Sequence, residues 1–310
     1  MHILMINKIC GEVMKKMRML STATQGAIIL FTFLVALLPW GCQASVQQAQ
    51  GKPVLDVPYE PTSNTITQEM LRIANVTSAD VVYDLGCGDG RIVIMAAKER
   101  KARGVGVDLD PARIRESKEN AKSAGVTHLV QFIEQNLFDT NISDATVVML
   151  YLWPEINLKL RPKLLRELRP GTRIVSHSHT MGDWKPESET KVEGHYLYFF
   201  IVPANSTGTW RLTGPDLNNP ASLRLTQKFQ MIQGSMSSGP GAYPVMNGRL
   251  KGSSIRFVIE RMVQGVKEIR LFEGNISDNT IKGTIKDQAG NTVSAWKAIR
   301  DAATAVTIAE

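Results

Sequence analysis

The residues best placed to do chemistry in this 310-residue chain form one short stretch, Asp84-Leu85-Gly86-Cys87-Gly88-Asp89-Gly90. Glycine recurs there at every second position behind an acid. Such glycines let the backbone take positive φ and let a ligand approach without meeting a Cβ. The apolar, β-branched run 81–85 reads as a buried parallel strand, and 91–101 reads as a helix with one apolar face. Strand, glycine-rich turn and helix together open a nucleotide-binding α/β unit. The spacing excludes two nucleotide classes. Arg91 stands where a dinucleotide fingerprint needs its third glycine, and no Gly-Lys-Ser/Thr ends the turn as a phosphate loop requires. Asp84 would repel a pyrophosphate, but it suits a ligand carrying an ammonium group and a sulfonium. A second acid, Asp108, closes the run 104–108, about where a carboxylate accepts hydrogen bonds from both hydroxyls of a ribose.

The elements that must hold these groups follow from periodicity. Strands are expected at 81–85, 104–108, 130–135, 145–151, 172–176 and 194–202, and helices at 65–74, 91–101, 111–124 and 158–168. Thr65 to Gln68 can form a capping box at the first helix. Strands alternating with helices make an α/β fold with a doubly wound, mostly parallel sheet. After Pro203-Ala204-Asn205-Ser206 the helical period fades and short alternating segments separated by Asn-Gly and Glu-Gly-Asn turns take over. These predict a small antiparallel all-β domain, barrel or sandwich, in which Trp210 and Trp296 pack together. The expected organisation is a targeting segment at 1–44, a linker at 45–54, the α/β domain at 55–204 and the β-domain at 205–310.

Composition is that of an ordinary globular protein, 43% hydrophobic and 21% charged, with a net charge of +7. Lys8, Lys15, Lys16 and Arg18 against Glu12 account for three of those charges, so the remainder is too weakly basic to indicate nucleic acid. The apolar run 27–40 follows Lys15, Lys16 and Arg18 and precedes Gly41-Cys42-Gln43-Ala44, the pattern of a secretory leader. A leader cut near Ala44, lipid attachment at Cys42, an uncleaved anchor giving membrane association through 20–41, and a later start at Met14, Met17 or Met19 all stand as readings. The first three place the chain at the cell envelope and the last leaves it in the cytoplasm. Of three cysteines only Cys87 lies beyond the leader, so the body has no internal disulfide. His177 and His179 share one face of a strand end, but no third ligand accompanies them and no metal site is expected.

The motif D-x-G-x-G-x-G at 84–90 resembles motif I of class I S-adenosylmethionine (SAM) methyltransferases. Residues 55–203 are similar to a branch of that class, bacterial relatives of the mitochondrial lysine methyltransferases acting on ATP synthase and the adenine nucleotide carrier. The likeness rests on Val57-Pro58-Tyr59-Glu60-Pro61-Thr62, on the turn through Arg91-Ile92-Val93 and on the segment after the fourth strand. It implies a SAM site made of Asp84, Gly86, Gly88, Gly90 and Asp108, with Tyr59 and Thr62 at the methionine end. Asn136 stands where relatives carry an acid for the adenine amino group, and its amide oxygen can also accept. The same likeness puts the catalytic corner at Tyr151, Trp153 and Glu155, the aromatic pair lining a lysine channel and the acid steering the ammonium. The substrate implied is a protein lysine. A small-molecule acceptor and a degenerate, non-catalytic SAM-fold module are the alternatives. Lys159, Arg161, Lys163, Arg166 and Arg169 read as a solvated helix face or as a docking surface.

Overall fold

The structure, a computed structural model, describes residues 59–217, 221–306 and 308. The targeting segment expected at 1–44 and the linker at 45–54 lie outside the described residues. Among the described residues no helix is long and apolar enough to cross a membrane.

Seven strands form the first sheet: β1 (Val81–Leu85), β2 (Arg103–Asp108), β3 (Val130–Glu134), β4 (Val147–Leu150), β5 (Arg173–His177), β6 (Ser188–Val192) and β7 (His195–Ile201). Their order is β3-β2-β1-β4-β5-β7-β6, and β7 runs antiparallel to both of its neighbours. Four helices accompany them, α1 (Asn64–Ile73), α2 (Arg91–Arg100), α3 (Pro111–Ser123) and α4 (Pro154–Glu167). The two faces of β1 show the layering. Val82 packs with Met70 of α1 and with Ile92 and Val93 of α2, while Tyr83 and Leu85 pack with Leu160 and Leu164 of α4. Every residue of β1 is buried, which is why Val81, Val82, Tyr83 and Leu85 show no polar alternation, Asp84 being the one charged group among them.

Three local features depart from the sequence expectations. The cap of α1 is Ser63, whose Oγ accepts from the Ile66 N–H at 3.2 Å, rather than a box starting at Thr65. Helix α4 starts at Pro154, four residues before the expected 158, because Trp153 is extended at the N-cap and proline's fixed φ suits the first helical position. Glu155 therefore sits in the first turn of a helix, where a carboxylate complements the helix dipole. Strand β6 has no counterpart among the expected strands. It is a polar edge strand paired only to β7 and carries no hydrophobic alternation to reveal it.

The remaining strands are β8 (Gly208–Thr213), β9 (Ala221–Lys228), β10 (Met231–Ser238), β11 (Gly241–Pro244), β12 (Met246–Lys251), β13 (Ser254–Val263), β14 (Val266–Ser277), β15 (Thr280–Lys286) and β16 (Thr292–Arg300). Each of β8, β9, β10 and β12 to β16 pairs antiparallel with two others, so eight strands close a barrel, and β11 extends β12 along the far half of β10. Closure leaves the eight strands without a free edge. The interior holds Leu223, Ile255, Phe257, Phe272 and Ile281. Trp296 meets Phe257 and Phe272 edge-on, with centroids 5.9 and 5.4 Å apart. Trp210 lies instead under the Arg300 guanidinium, 4.8 Å away, and donates its indole N–H to the Ser206 carbonyl at 2.9 Å. The two tryptophans thus serve the barrel through separate partners rather than by stacking on each other.

The barrel packs on the parallel sheet through Phe229, at the β9–β10 turn. Its ring stacks on Trp184 with centroids 5.9 Å apart, and Trp184 also meets Phe200 of β7 at 5.1 Å. Lys228 pairs with Asp183 at 2.6 Å and Arg249 with Glu187 at 2.8 Å around this contact.

Candidate active site

The chain between α1 and the start of the described residues folds back over the glycine-rich turn. A cavity opens there at the C-terminal ends of β1, β2 and β4, where ligands of open α/β sheets bind. Asp84, Gly86, Asp108, Asn136, Tyr59, Thr62 and Tyr151 all line it. Gly88 and Gly90 do not line it. Trp153 and Glu155 are exposed and lie outside it.

The turn explains its own glycines. Gly90 is the N-cap of α2 with φ at +79°, and a Cβ there would stand 2.6 Å from the Phe132 ring. Gly88 has φ at +52°, and a Cβ there would enter the ring of Tyr59 at 2.3 Å. The turn is tied to the next strand through Val107, whose carbonyl accepts from the N–H groups of Gly86 and Cys87 at 2.8 and 2.9 Å.

Asp108 ends β2 with its carboxylate held by two backbone N–H groups, Gly88 to one oxygen at 2.8 Å and Asp110 to the other at 2.9 Å. Each oxygen keeps a second lone pair for a ligand hydroxyl. Asp84 is buried near the end of β1, just before the turn, and burial with the nearby charges of Asp108 and Asp89 pushes its carboxyl up to about 8. A carboxyl so placed gains from a cationic ligand. This acid-rich cavity with a fixed diol acceptor fits SAM, whose ammonium and ribose match those groups. Asn136 already accepts from the Phe138 N–H at 2.9 Å, an Asx turn that fixes its side chain at the cavity wall.

Several groups at the cavity are given no role there by the sequence. Arg91 grips Asp89 with bonds of 2.6 to 3.2 Å and donates to the Thr62 carbonyl at 2.8 Å, clamping the folded-back segment onto the turn. Arg113 lies over the Tyr59 ring at 4.7 Å. Glu60 lines the cavity beside the Tyr151 hydroxyl, and burial with that carboxylate pushes the Tyr151 phenol up to about 12. His177, at the end of β5, packs against Tyr151 with ring centroids 3.9 Å apart. The sequence places Arg91 and Glu60 inside the family stretches and His177 in a histidine pair, but it gives none of them a role at the cavity; that comes from tertiary contact. The basic stretch after Tyr151 is partly consumed internally. Arg161 binds Asp183 and the Met181 carbonyl at 2.7 and 2.9 Å, and Lys163 binds Glu167 at 2.7 Å.

The α/β part of the chain is similar to known proteins. Residues 84–188 match the family model of the ANTKMT methyltransferase domain. The chain is 44% identical over 151 residues to a protein-lysine N-methyltransferase of Saccharolobus islandicus, covering 47% of this chain and 94% of that protein. It is 30% identical over 132 residues to the adenine nucleotide translocase lysine N-methyltransferase of Mus musculus, covering 43% of this chain but 57% of that protein. Among solved structures, an RNA methyltransferase from Salinibacter ruber in complex with S-adenosyl-L-homocysteine is 49% identical, with a TM-score of 0.46, covering 46% of this chain and 94% of that one. The chain belongs to this family of SAM-dependent methyltransferases. The barrel lies beyond the matched domain.

Proposed function

We propose that this methyltransferase modifies a lysine side chain of a protein, with SAM held by the glycine-rich turn. The observation that carries the reading is the cavity that joins the Asp84–Asp108 acid pair to Tyr151 and Glu60. The kinship with a protein-lysine methyltransferase supports it. Asp108 binds the ribose, Asn136 borders the adenine, and Tyr59 and Thr62 enclose the methionine end above Gly86, Gly88 and Gly90. Bound SAM would supply a methyl group on a sulfonium, its C–S bond breaking to leave the thioether as a C–N bond forms to an amine whose ammonium proton has passed to solvent.

The protein's task is alignment, exclusion of water and management of one proton. Glu60 attracts the lysine ammonium to the cavity. Tyr151, kept protonated by its high pKa, offers an aromatic wall and a hydroxyl beside that carboxylate. Trp153 and Glu155, exposed just past the lining residue Leu152, meet the polypeptide that carries the lysine. The barrel serves to hold or position the substrate and supplies no reacting group.

The apolar run 27–40 behind its basic flank supports an envelope location. Fractionation of cells should then place the chain with membranes or in the exported fraction. The test of the activity is radiolabelled SAM with protein and a cell lysate. Label in protein, released as methyllysine on hydrolysis, is the expected result. Label confined to small solutes or to RNA would overturn it.

A further inference from the structure

His177 is an expensive residue where it stands. It is 2% exposed, and its Nε2 has no hydrogen-bond partner among the described residues. An unpartnered buried nitrogen has lost its hydration without replacement, a penalty that an apolar ring of the same size would avoid. The other nitrogen is employed. Nδ1 lies 3.3 Å from Thr62 Oγ1, on the segment folded over the SAM turn, 115 residues away in sequence. The ring face meets Tyr151 at 3.9 Å. Its edge is closed by His195 of β7, with centroids 5.0 Å apart. His177 therefore touches one residue on the cofactor side of the cavity and one on the acceptor side.

We propose that His177 is a positioning residue for methyl transfer, coupling Thr62 to Tyr151 so that the two halves of the cavity keep the in-line arrangement of amine and methyl group. This rests on the placement of SAM and the acceptor described under the proposed function. Thr62 is itself clamped through its carbonyl by Arg91, so its hydroxyl presents a fixed anchor. Among the described residues Tyr151 has no other ring partner so close: His179 stacks at 6.5 Å. Burial, with His195 and His179 nearby, holds the imidazole down to about 4. It is then uncharged at neutral pH and adds no repulsion to an approaching ammonium. An uncharged ring can fix geometry without opposing the substrate.

The experiment compares His177→Phe, Thr62→Val and the double variant in the full chain, with turnover measured at saturating SAM and acceptor. His177→Phe keeps the ring against Tyr151 but releases Thr62. It should lower kcat by about 10- to 100-fold, the scale of a small misplacement. Its SAM dissociation constant, from calorimetry, should change by less than about fivefold, a smaller effect than the loss in kcat. Because the two residues act as one unit, the double variant should lose no more than the worse single variant. Thermal melts establish that each variant is folded, and Thr62→Val reports on the same contact if His177→Phe does not fold. Unchanged kcat in a folded variant, a kcat loss matched by lost SAM affinity, or losses that multiply in the double variant would each overturn the proposal. Turnover is read on whichever acceptor the wild type labels. Failure of the lysine reading appears as absence of protein label in the wild type and is separate from these outcomes.

Discussion

Gly88 lies directly beneath the ring of Tyr59, so that a Cβ on Gly88 would stand 2.3 Å from Tyr59 Cε2. The contact joins the glycine-rich turn, the proposed SAM site, to the segment folded over it. Gly88→Ala has two consequences. The left-handed backbone at φ +52° becomes strained by about 1–2 kcal/mol, and Tyr59 must leave its place. Asp108 also loses alignment, since its carboxylate accepts from the Gly88 N–H. We expect a folded protein whose SAM affinity falls at least about tenfold, an effect of about 1.4 kcal/mol that calorimetry resolves. Wild-type affinity in this variant would show that the cover does not contribute to binding.

Asp84 predicts a pH dependence with a definite sign. Its folded carboxyl is pushed up to about 8, so the ligand-free protein holds a proton there at neutral pH that the unfolded chain releases. The associated stability is present at low pH and is lost as pH rises through about 8. A cationic ligand favours the ionised carboxylate. SAM binding near pH 7 should therefore release a proton, and affinity should rise between about pH 6 and 8. Calorimetry in buffers of different ionisation enthalpy measures that proton directly. Asp84→Asn should abolish the release, weaken SAM binding and make the ligand-free protein less sensitive to alkaline pH. Proton uptake by the wild type would refute the assignment.

The α/β fold is legible in the sequence because its signals are local: an apolar strand, a glycine-rich turn and a helix, then an acid closing the next strand. Asp84, the three glycines and Asp108 are readable for the same reason. What escapes depends on distant parts of the chain. Strand β6 is polar and exists because β7 offers it an edge. The turn between β9 and β10 escapes because the run 222–232 alternates straight through it, with Phe229 at φ +51° rather than a glycine. Glu60 reads only as part of a family stretch and His177 only as half of a histidine pair without a third ligand; their place beside Tyr151 appears where the fold brings both there. A closed barrel and a sandwich share the same alternation, so pattern alone leaves both open, and the β9–β10 and β8–β16 pairings decide for the barrel.

Phe229 is the apolar plug between barrel and sheet, 3% exposed and stacked on Trp184. The Arg161 guanidinium covers its ring at 5.0 Å. Truncating it leaves a cavity against Trp184 and frees Arg161. Phe229→Ala should cost about 3–5 kcal/mol of stability, visible as a lower denaturant midpoint. Trp184 fluorescence should shift to the red as water reaches the ring. SAM affinity should stay within about twofold of wild type, since no residue of this plug lines the SAM cavity. A variant of wild-type stability would show that the barrel and sheet are held by their peripheral ion pairs instead.

Trp153 separates substrate recognition from chemistry. It is 50% exposed, a large apolar surface left open one residue beyond Leu152 at the cavity wall. Exposed tryptophan beside a cavity is an effective contact for an incoming chain, because burying it on binding releases water from a large area without ordering many torsions. Glu155 follows on the first turn of α4 and adds a negative charge to the same surface. If these residues meet the protein substrate rather than the reacting amine, Trp153→Ala should raise KM for a protein acceptor about tenfold, equivalent to about 1.4 kcal/mol of binding. Its kcat and SAM affinity should remain close to wild type. Glu155→Gln should raise KM less, and that smaller effect should fade with added salt as expected for an exposed charge. Tyr151→Phe, which removes a hydroxyl inside the cavity, should instead lower kcat. Steady-state kinetics on one methylated protein distinguishes the two patterns. A Trp153→Ala variant that loses kcat with unchanged KM would place the indole among the groups aligning the amine.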